Sequence, residues 1–109
     1  YTIIKIDFNG FNDRSVKFWY MTTDNNGDIW GQDLLYTYKI TLTTNADGEY
    51  SGAQYKRFTL ADGFPYQTYR LICDHNNNIW TLVQGTGLLM YNQSSGETKI
   101  FKESLEYFV

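Results

Sequence analysis

Residues 24–30 read Asp-Asn-Asn-Gly-Asp-Ile-Trp and residues 74–80 read Asp-His-Asn-Asn-Asn-Ile-Trp, so one frame returns after 50 residues. Asn and Gly tolerate positive φ. An Asp at the start of a turn also accepts hydrogen bonds from the backbone N–H groups that follow it. The frame therefore predicts, twice, a tight hairpin turn that leads into a short strand carrying a tryptophan.

Two further landmarks accompany the frame. Upstream, Asn-Gly-Phe at residues 9–11 has a counterpart in Asp-Gly-Phe at residues 62–64. Downstream, Leu-Leu-Tyr at residues 34–36 is similar to Leu-Leu-Met-Tyr at residues 88–91. Because all landmarks keep their order, the chain contains two copies of one repeat.

Each copy predicts four short strands in a meander, and no segment predicts a helix. In the first copy the strands are expected at residues 16–23, at the Ile-Trp pair, at 34–42 and at 55–60. In the second copy they are expected at 67–73, at the Ile-Trp pair, at 87–91 and at 97–102. The first copy has the shorter spacing after its Trp, so we expect a short second strand there. We also expect a long hairpin between its third and fourth strands, with a turn at residues 45–48.

Four antiparallel strands in roughly 50 residues match the size of one β-propeller blade. Aromatic residues make up 18% of the chain, and such residues favour strands. The predicted fold is therefore all-β: about two four-stranded antiparallel meander blades, a fragment of a larger propeller. Residues 1–61 are assigned to the first blade plus the last strand of a preceding one, and residues 62–109 to the second blade and the start of the next.

The residues that recur in register are assigned a structural role. A single blade cannot bury both of its faces, so neighbouring blades must stack through aromatic and aliphatic side chains. We expect the recurring tryptophans to pack between blades and the recurring Asp and Gly residues to shape the turns. These repeat residues are Asp24, Gly27, Trp30, Asp74 and Trp80.

Charge and hydropathy disfavour several classes of partner. The net charge is −3 and the basic residues are scattered, which disfavours nucleic-acid binding. No apolar run reaches the roughly 20 residues that a membrane helix requires.

The single cysteine, Cys73, excludes an internal disulfide and is expected to be a small buried apolar residue. The chain begins at Tyr1 without an initiator Met or a signal peptide, and both ends read as strands, so we expect an excerpt of a longer protein.

No residue set predicts a catalytic centre, a metal site or a cofactor site. Residues 24–28 carry oxygen ligands at alternate positions, like the start of a calcium loop. However, Ile29 and Leu35 occupy the positions where that loop requires a Gly and a bidentate acid, so a hairpin turn is favoured. His75 is the only histidine and lies in a turn without the other members of a metal site or triad. No pair of the twelve carboxylates can be placed at a glycosidase separation from sequence.

Aromatic residues that do not recur are the candidates for ligand binding. They flank the strand that follows each Gly-Phe landmark, where a propeller loop lines one mouth of the channel. An aromatic face there can stack on a sugar, and arginines can bind its hydroxyls. The alternative for each residue is ordinary packing within a blade. The candidate ligand-binding residues are Trp19, Tyr20, Tyr66 and Tyr69, with Arg14 and Arg70 as polar partners.

The second copy resembles a known repeat. It carries Asp-Gly-Phe-Pro at 62–65, Tyr-x-Leu-Ile-x-Asp at 69–74, Asn-Ile-Trp at 78–80 and Gly-Thr-Gly-Leu-Leu-Met-Tyr at 85–91. This order resembles the two-component regulator propeller repeat, which reads Gly-Leu-Pro, Val-x-x-Ile-x-x-Asp, Gly-x-Leu-Trp-x-Gly-Thr and Gly-Leu-x-x-Tyr. The resemblance covers about 40 residues of the second copy. The first copy matches mainly within its Asp-to-Trp frame and lacks the Gly-Thr and Gly-Leu elements.

The resemblance implies a non-enzymatic ligand-sensing segment of a periplasmic or extracellular sensor region. In that family, tandem propellers precede a transmembrane helix and a histidine kinase, and many members detect glycan breakdown products. The implied partners are neighbouring blades, an oligosaccharide ligand and a second copy of the full-length sensor in a homodimer. The alternatives are a structural or accessory propeller, and part of a propeller glycosidase or lyase.

Overall fold

The computed structural model describes residues 17–33, 35–65 and 67–102. They form two four-stranded antiparallel sheets, and each sheet is a meander in chain order. The strands are β1 (Tyr20–Thr23), β2 (Ile29–Gln32), β3 (Thr37–Thr44), β4 (Tyr50–Phe58), β5 (Thr68–Cys73), β6 (Asn78–Val83), β7 (Gly87–Asn92) and β8 (Glu97–Lys102). A 3-10 turn at Leu60–Asp62 lies between the sheets in the chain. The prediction of an all-β chain with four strands in each copy is confirmed. The predicted strands near both ends and the landmark at residues 9–11 lie outside the described residues.

The predicted differences between the two copies are also confirmed. Strand β2 has 4 residues, whereas its counterpart β6 has 6. Strands β3 and β4 have 8 and 9 residues, whereas β7 and β8 have 6 each. The turn at residues 45–48 is closed by the Asn45 side chain, whose Oδ1 accepts hydrogen bonds from the N–H groups of Asp47 and Glu49.

Three strands begin later or earlier than predicted by three residues or more. Strand β1 begins at Tyr20 rather than at residue 16. Strand β3 begins at Thr37 rather than at residue 34, because the Asp33 carboxylate turns the chain first. Its Oδ1 accepts hydrogen bonds from the N–H groups of Leu35 and Tyr36, at 2.8 and 2.7 Å. Strand β4 begins at Tyr50 rather than at residue 55, because the turn at Asn45 is tight and pairing resumes directly after it.

The core lies between the two sheets, which pack face to face. Trp30 of the first sheet is fully buried and stacks on Phe58 with 5.0 Å between ring centroids. Tyr91 of the second sheet contacts both of these rings, at 5.8 and 5.1 Å. Burial of an aromatic or aliphatic side chain of this size stabilises a fold by about 1.5–3 kcal/mol. The buried residues of this cluster are Trp30, Phe58, Phe64, Leu71, Ile79, Val83 and Leu89.

The connection between the sheets also contributes to the core. Gly63 ends the 3-10 turn with φ 87°, a left-handed conformation that glycine adopts without strain. This turn directs Phe64 inward, where its ring lies 4.8 Å from the ring of Phe58. Across the described part of the chain, no helix has the length and apolar character required to cross a membrane.

Candidate functional site

The Asp24 carboxylate organises the first repeat turn. Its Oδ1 accepts hydrogen bonds from the N–H groups of Asn26 and Asp28, at 3.0 and 2.9 Å. Its Oδ2 accepts a hydrogen bond from Nε1 of the buried Trp30 at 3.0 Å. Gly27 has φ 83°, which closes the turn. One carboxylate therefore fixes both the turn and the tryptophan that follows it.

Asp74 makes the same contacts in the second copy. Its Oδ1 accepts from the N–H groups of Asn76 and Asn78 at 2.9 Å each. Its Oδ2 accepts from Nε1 of Trp80 at 2.8 Å. Asn77 occupies the place of Gly27 with φ 65°, a left-handed conformation that asparagine tolerates. The Asp-to-Trp frame is thus a local device that recurs with the same geometry.

Hydrogen bonding lowers the pKa of both carboxyl groups. Burial opposes ionisation of Asp24, but the hydrogen bonds from Trp30, Asp28, Gln93 and Asn26 outweigh it and hold its pKa below the ordinary value. The hydrogen bond from Trp80 is the main cause of the lowered pKa of Asp74. Within the described ranges, no three His, Cys, Asp or Glu residues cluster as a metal site would require. The geometry assigns these oxygens to the turns.

The two repeat turns contact each other. The backbone N–H of Asn25 donates to Oδ1 of Asn77 at 2.8 Å, and its side-chain amide donates to the carbonyl of His75 at 3.2 Å. The Gln93 amide bridges the turns, because it donates both to Oδ2 of Asp24 and to the carbonyl of Asn77. His75 thus takes part in the contact through its backbone.

An open groove of about 460 Å³ brings together three of the predicted binding residues. Trp19 is 66% exposed, and Tyr20 and Tyr69 are also exposed. The residues that line the groove are Trp19, Tyr20, Asp33, Leu35, Gln67, Thr68, Tyr69 and Gln84. An exposed tryptophan beside two tyrosines offers flat apolar faces in one place, which is the usual composition of a ligand site.

Backbone contacts position the walls of the groove. The N–H of Trp19 donates to the carbonyl of Gln32 at 2.7 Å, which ties Trp19 to the end of β2. On the other side, the N–H of Gln84 donates to the carbonyl of Gln67 at 3.3 Å. Gln67 and Gln84 line the groove together with Tyr69, and side-chain amides can bind the hydroxyl groups of a ligand.

A buried polar cluster lies beneath the groove. Nε2 of Gln32 contacts the hydroxyl groups of Thr37, Thr68 and Thr81, at 3.2, 3.2 and 2.7 Å. The Thr81 hydroxyl in turn donates to the carbonyl of Tyr69. Oε1 of Gln32 is buried without a hydrogen-bond partner. Thr68 belongs both to this cluster and to the groove, so the cluster links the wall of the groove to the interface between the sheets.

Asp33 supports the groove and is already engaged. Its Oδ1 accepts the two turn hydrogen bonds described above, and its Oδ2 accepts a hydrogen bond from the Tyr38 hydroxyl at 3.3 Å. The side chain is buried. This carboxylate therefore shapes the corner between β2 and β3.

The remaining predicted site residues do not line the groove. Arg70 adopts φ 67° at an irregularity in the pairing of β5, and it lines a different cavity on the outer face of the second sheet. Its guanidinium carbon lies 5.9 Å from the centre of the Tyr20 ring. Arg14 and Tyr66 lie outside the described residues. Sequence reasoning missed Gln67 and Gln84; both flank strands next to Tyr69, but only strand pairing places them on one groove.

No protein-family model, curated protein or solved structure matches the chain. Its function must therefore be inferred from the groove and from the two sheets that form it.

Proposed function

We propose that the two sheets are consecutive blades of a β-propeller and that the groove binds a glycan-derived ligand, as part of the periplasmic sensor region of a two-component system. The observation that carries the proposal is the meeting of Trp19, Tyr20 and Tyr69 in one groove. The groove holds about 460 Å³, within the range of roughly 300–1,000 Å³ that is typical of ligand pockets.

The propeller assignment is supported by the way the two sheets repeat and stack. Both are four-stranded antiparallel meanders of the same strand order. They pack face to face, and a tryptophan of one sheet lies buried against a tyrosine of the next. A propeller requires such packing at every pair of neighbouring blades.

The chemistry of the groove suits a neutral, polyhydroxylated ligand. None of the described lining residues is Lys, Arg or His, and the one carboxylate among them, Asp33, is buried and hydrogen-bonded. Aromatic faces bind the apolar side of a sugar ring, while the amides of Gln67 and Gln84 bind its hydroxyl groups. An anionic ligand would find no counter-charge on these residues.

Binding without catalysis is favoured over a glycosidase. Glycosidases of the usual kind require two carboxyl groups on either side of the scissile bond, about 5–10 Å apart. The described lining offers Asp33 alone, and its oxygens accept hydrogen bonds from Leu35, Tyr36 and Tyr38. This engagement suits a structural support better than a general acid.

Ligand binding is tested by titrating the protein with a panel of short neutral and uronate-containing oligosaccharides. The measurement is iodide quenching of tryptophan fluorescence. Trp30 is fully buried and Trp80 is half-buried, so the quenchable signal comes mainly from Trp19. We expect a neutral oligosaccharide to protect Trp19 from iodide. Trp19→Ala or Tyr69→Ala should weaken binding, measured by calorimetry, roughly tenfold, which corresponds to about 1.4 kcal/mol.

Tyr50→Ala is the matched control. Tyr50 is also an exposed tyrosine, lies in β4 and does not line the groove, so this variant should bind as the wild type does. The groove proposal fails if every oligosaccharide leaves the quenching unchanged, or if Tyr50→Ala weakens binding as much as Tyr69→Ala.

The sensor assignment has a separate test. The complete natural polypeptide should carry a membrane helix and a histidine kinase after its propeller region. Added ligand should then change the rate of autophosphorylation in the wild type and not in Tyr69→Ala. A natural polypeptide without a kinase would overturn the signalling role and leave the binding role standing.

A further inference from the structure

The outer face of the second sheet is exposed, and most of the side chains that line its cavity are apolar. Ile72 is 64% exposed there, and Leu88 and Phe101 are exposed as well. Trp80 and Leu82 join Ile72 and Leu88 around a cavity of about 170 Å³ on this face. A group of exposed apolar side chains of this kind is expected to be an interaction surface.

Strand register relates this face to a face of the first sheet that is covered. Residues opposite each other in antiparallel strands share a face, and so do residues two apart. One cross-strand row of the first sheet is Thr22, Trp30, Lys39 and Lys56. The matching row of the second sheet is Ile72, Trp80, Met90 and Lys99. A second row runs Gln32, Thr37, Phe58 in the first sheet and Leu82, Leu88, Phe101 in the other.

Side-chain geometry supports this correspondence. Trp30 stacks on Phe58 with 5.0 Å between centroids and 20° between ring planes. Trp80 stacks on Phe101 with 5.6 Å and 23°. In both sheets a lysine ammonium lies over the phenylalanine ring, at 4.8 and 4.9 Å from its centre; these lysines are Lys56 and Lys99. The two faces are therefore versions of one surface.

The first of these faces shows what covers such a surface. The second sheet packs on it, with Phe64 and Tyr91 against Phe58 and with Tyr91 against Trp30. The two sheets are consecutive in the chain and are joined only by residues 59–67. The two repeat turns also contact each other, because the backbone N–H of Asn25 donates to the Asn77 side chain. His75 is the residue of the second turn that corresponds to Asn25. The observed occupant is thus the next repeat of the same polypeptide.

The two faces differ at four of these seven positions, and the second face has the more apolar residue at each of the four. The differences at Gln32 and Thr37 specify the chemistry of the occupant. In the covered interface Gln32 and Thr37 meet the hydroxyl groups of Thr68 and Thr81. Leu82 and Leu88 replace Gln32 and Thr37 on the uncovered face. A buried hydroxyl without a hydrogen-bond partner is destabilising, so threonines would be poor partners for two leucines.

We propose that a further four-stranded sheet of the same repeat, in the same polypeptide, packs on the outer face of the second sheet. This further sheet presents aliphatic side chains at the positions that Thr68 and Thr81 occupy in the second sheet. The proposal rests on the repeat architecture put forward under Proposed function, but it does not require that the groove bind a ligand. It makes the Trp80 face an interior surface of the natural protein.

Thiol labelling tests whether the face is covered. In the full natural protein with Cys73→Ser, single cysteines are introduced as Ile72→Cys, Leu88→Cys and, as control, Leu60→Cys. Leu60 is 58% exposed in the 3-10 turn, away from this face. We expect Ile72→Cys and Leu88→Cys to react with a maleimide at least roughly tenfold more slowly than Leu60→Cys, as a covered site must open before it reacts. The protection should not depend on protein concentration.

A polar substitution tests the chemistry of the occupant. Leu82→Gln places a glutamine at the position that corresponds to Gln32, whose side-chain NH2 group is hydrogen-bonded to threonine hydroxyl groups in the covered interface. We expect it to lower the melting temperature of the full natural protein, whereas the exposed control Leu60→Gln should leave it unchanged.

Rapid labelling of both Ile72→Cys and Leu88→Cys, or protection that grows with concentration and so reports a second copy, would overturn the proposal. An unchanged melting temperature for Leu82→Gln would overturn its aliphatic part. Loss of oligosaccharide binding to the groove leaves all of these results unaffected, so the two proposals fail separately.

Discussion

The indole N–H of Trp30 donates a hydrogen bond to Oδ2 of Asp24 at 3.0 Å, inside the interface between the two sheets. The same carboxylate holds the repeat turn through its other oxygen. A buried aromatic and a surface turn are thereby linked through a single side chain. The recurrence of this pair as Asp74 and Trp80 explains why the frame keeps both residues at a fixed separation.

Removal of the Asp24 charge should destabilise the protein and weaken its response to acid. In Asp24→Asn the amide cannot accept from all of the donors that now converge on the carboxylate, and leaving a buried donor unsatisfied costs about 1–3 kcal/mol. The folded-state pKa of Asp24 is lowered, so its contribution is present above the unfolded-state pKa of about 4 and is lost as the pH falls through the folded-state pKa. Urea denaturation at neutral pH and at about pH 3 gives the free energy of unfolding at each pH. This free energy should fall less on acidification in the variant than in the wild type.

Asp47→Asn is the control for this experiment, because it removes an exposed carboxylate in the turn between β3 and β4. It should cost less stability at neutral pH than Asp24→Asn does. Equal stabilities of the two variants at neutral pH would show that the hydrogen bond to Trp30 contributes little.

Truncation of Trp30 should destabilise the protein strongly, whereas truncation of Trp19 should have little effect on its stability. Trp30→Ala empties a fully buried position between the sheets, and such a change costs about 3–5 kcal/mol. Trp19→Ala alters a largely exposed side chain, and surface changes of this kind stay within about 0.5 kcal/mol. Chemical denaturation of both variants provides the measurement. A large loss of stability in Trp19→Ala would assign Trp19 to the core and weaken the binding proposal.

Local sequence predicted the features that depend on neighbouring residues. The Asp-rich frames predicted the two hairpin turns, and the short spacing after Trp30 predicted the short β2 strand. The corner at Asp33 was not predictable in the same way, because it depends on hydrogen bonds that the backbone N–H groups of Leu35 and Tyr36 donate to its carboxylate. A strand pattern alone does not reveal where a side chain ends the pairing.

The groove was predictable only in part. The aromatic residues that do not recur between the copies pointed to Trp19, Tyr20 and Tyr69, which the folded chain brings together. The position of Arg70 depends on an irregular step in β5, where a positive φ breaks the alternation of side chains between faces. Gln67 and Gln84 meet only after β5 and β6 pair. Long-range pairing of this kind has no signal within either segment.

Gly31→Ala should be destabilising because the Phe18 ring lies against this glycine. A Cβ atom built on Gly31 would lie 2.8 Å from two ring atoms of Phe18, closer than van der Waals contact allows. Overpacking of this kind costs about 1–3 kcal/mol. The measurement is the free energy of unfolding in a double-mutant cycle with Phe18→Ala.

The cycle separates contact from backbone effects. If the clash with Phe18 is the cause, Gly31→Ala should cost much less in the Phe18→Ala background than in the wild type. The same cost in both backgrounds would attribute the effect to the strand backbone and contradict the contact.

The Cys73 thiol should become reactive only at unusually high pH. Burial is the main cause of its raised pKa, and the nearby charges of Asp24 and Asp74 raise it further against an opposing hydrogen bond at Asn25. Alkylation by iodoacetamide, followed by mass spectrometry across a pH series, should give a midpoint above that of a small free thiol such as N-acetylcysteine. Partial burial slows the reaction at every pH, so the midpoint rather than the rate reports the pKa.

Asp24→Asn should move the midpoint down, because it removes a nearby negative charge, whereas Asp47→Asn should not. A wild-type midpoint at or below that of the free thiol would mean that the thiolate is stabilised at this turn, which the burial of Cys73 and its two acidic neighbours do not allow.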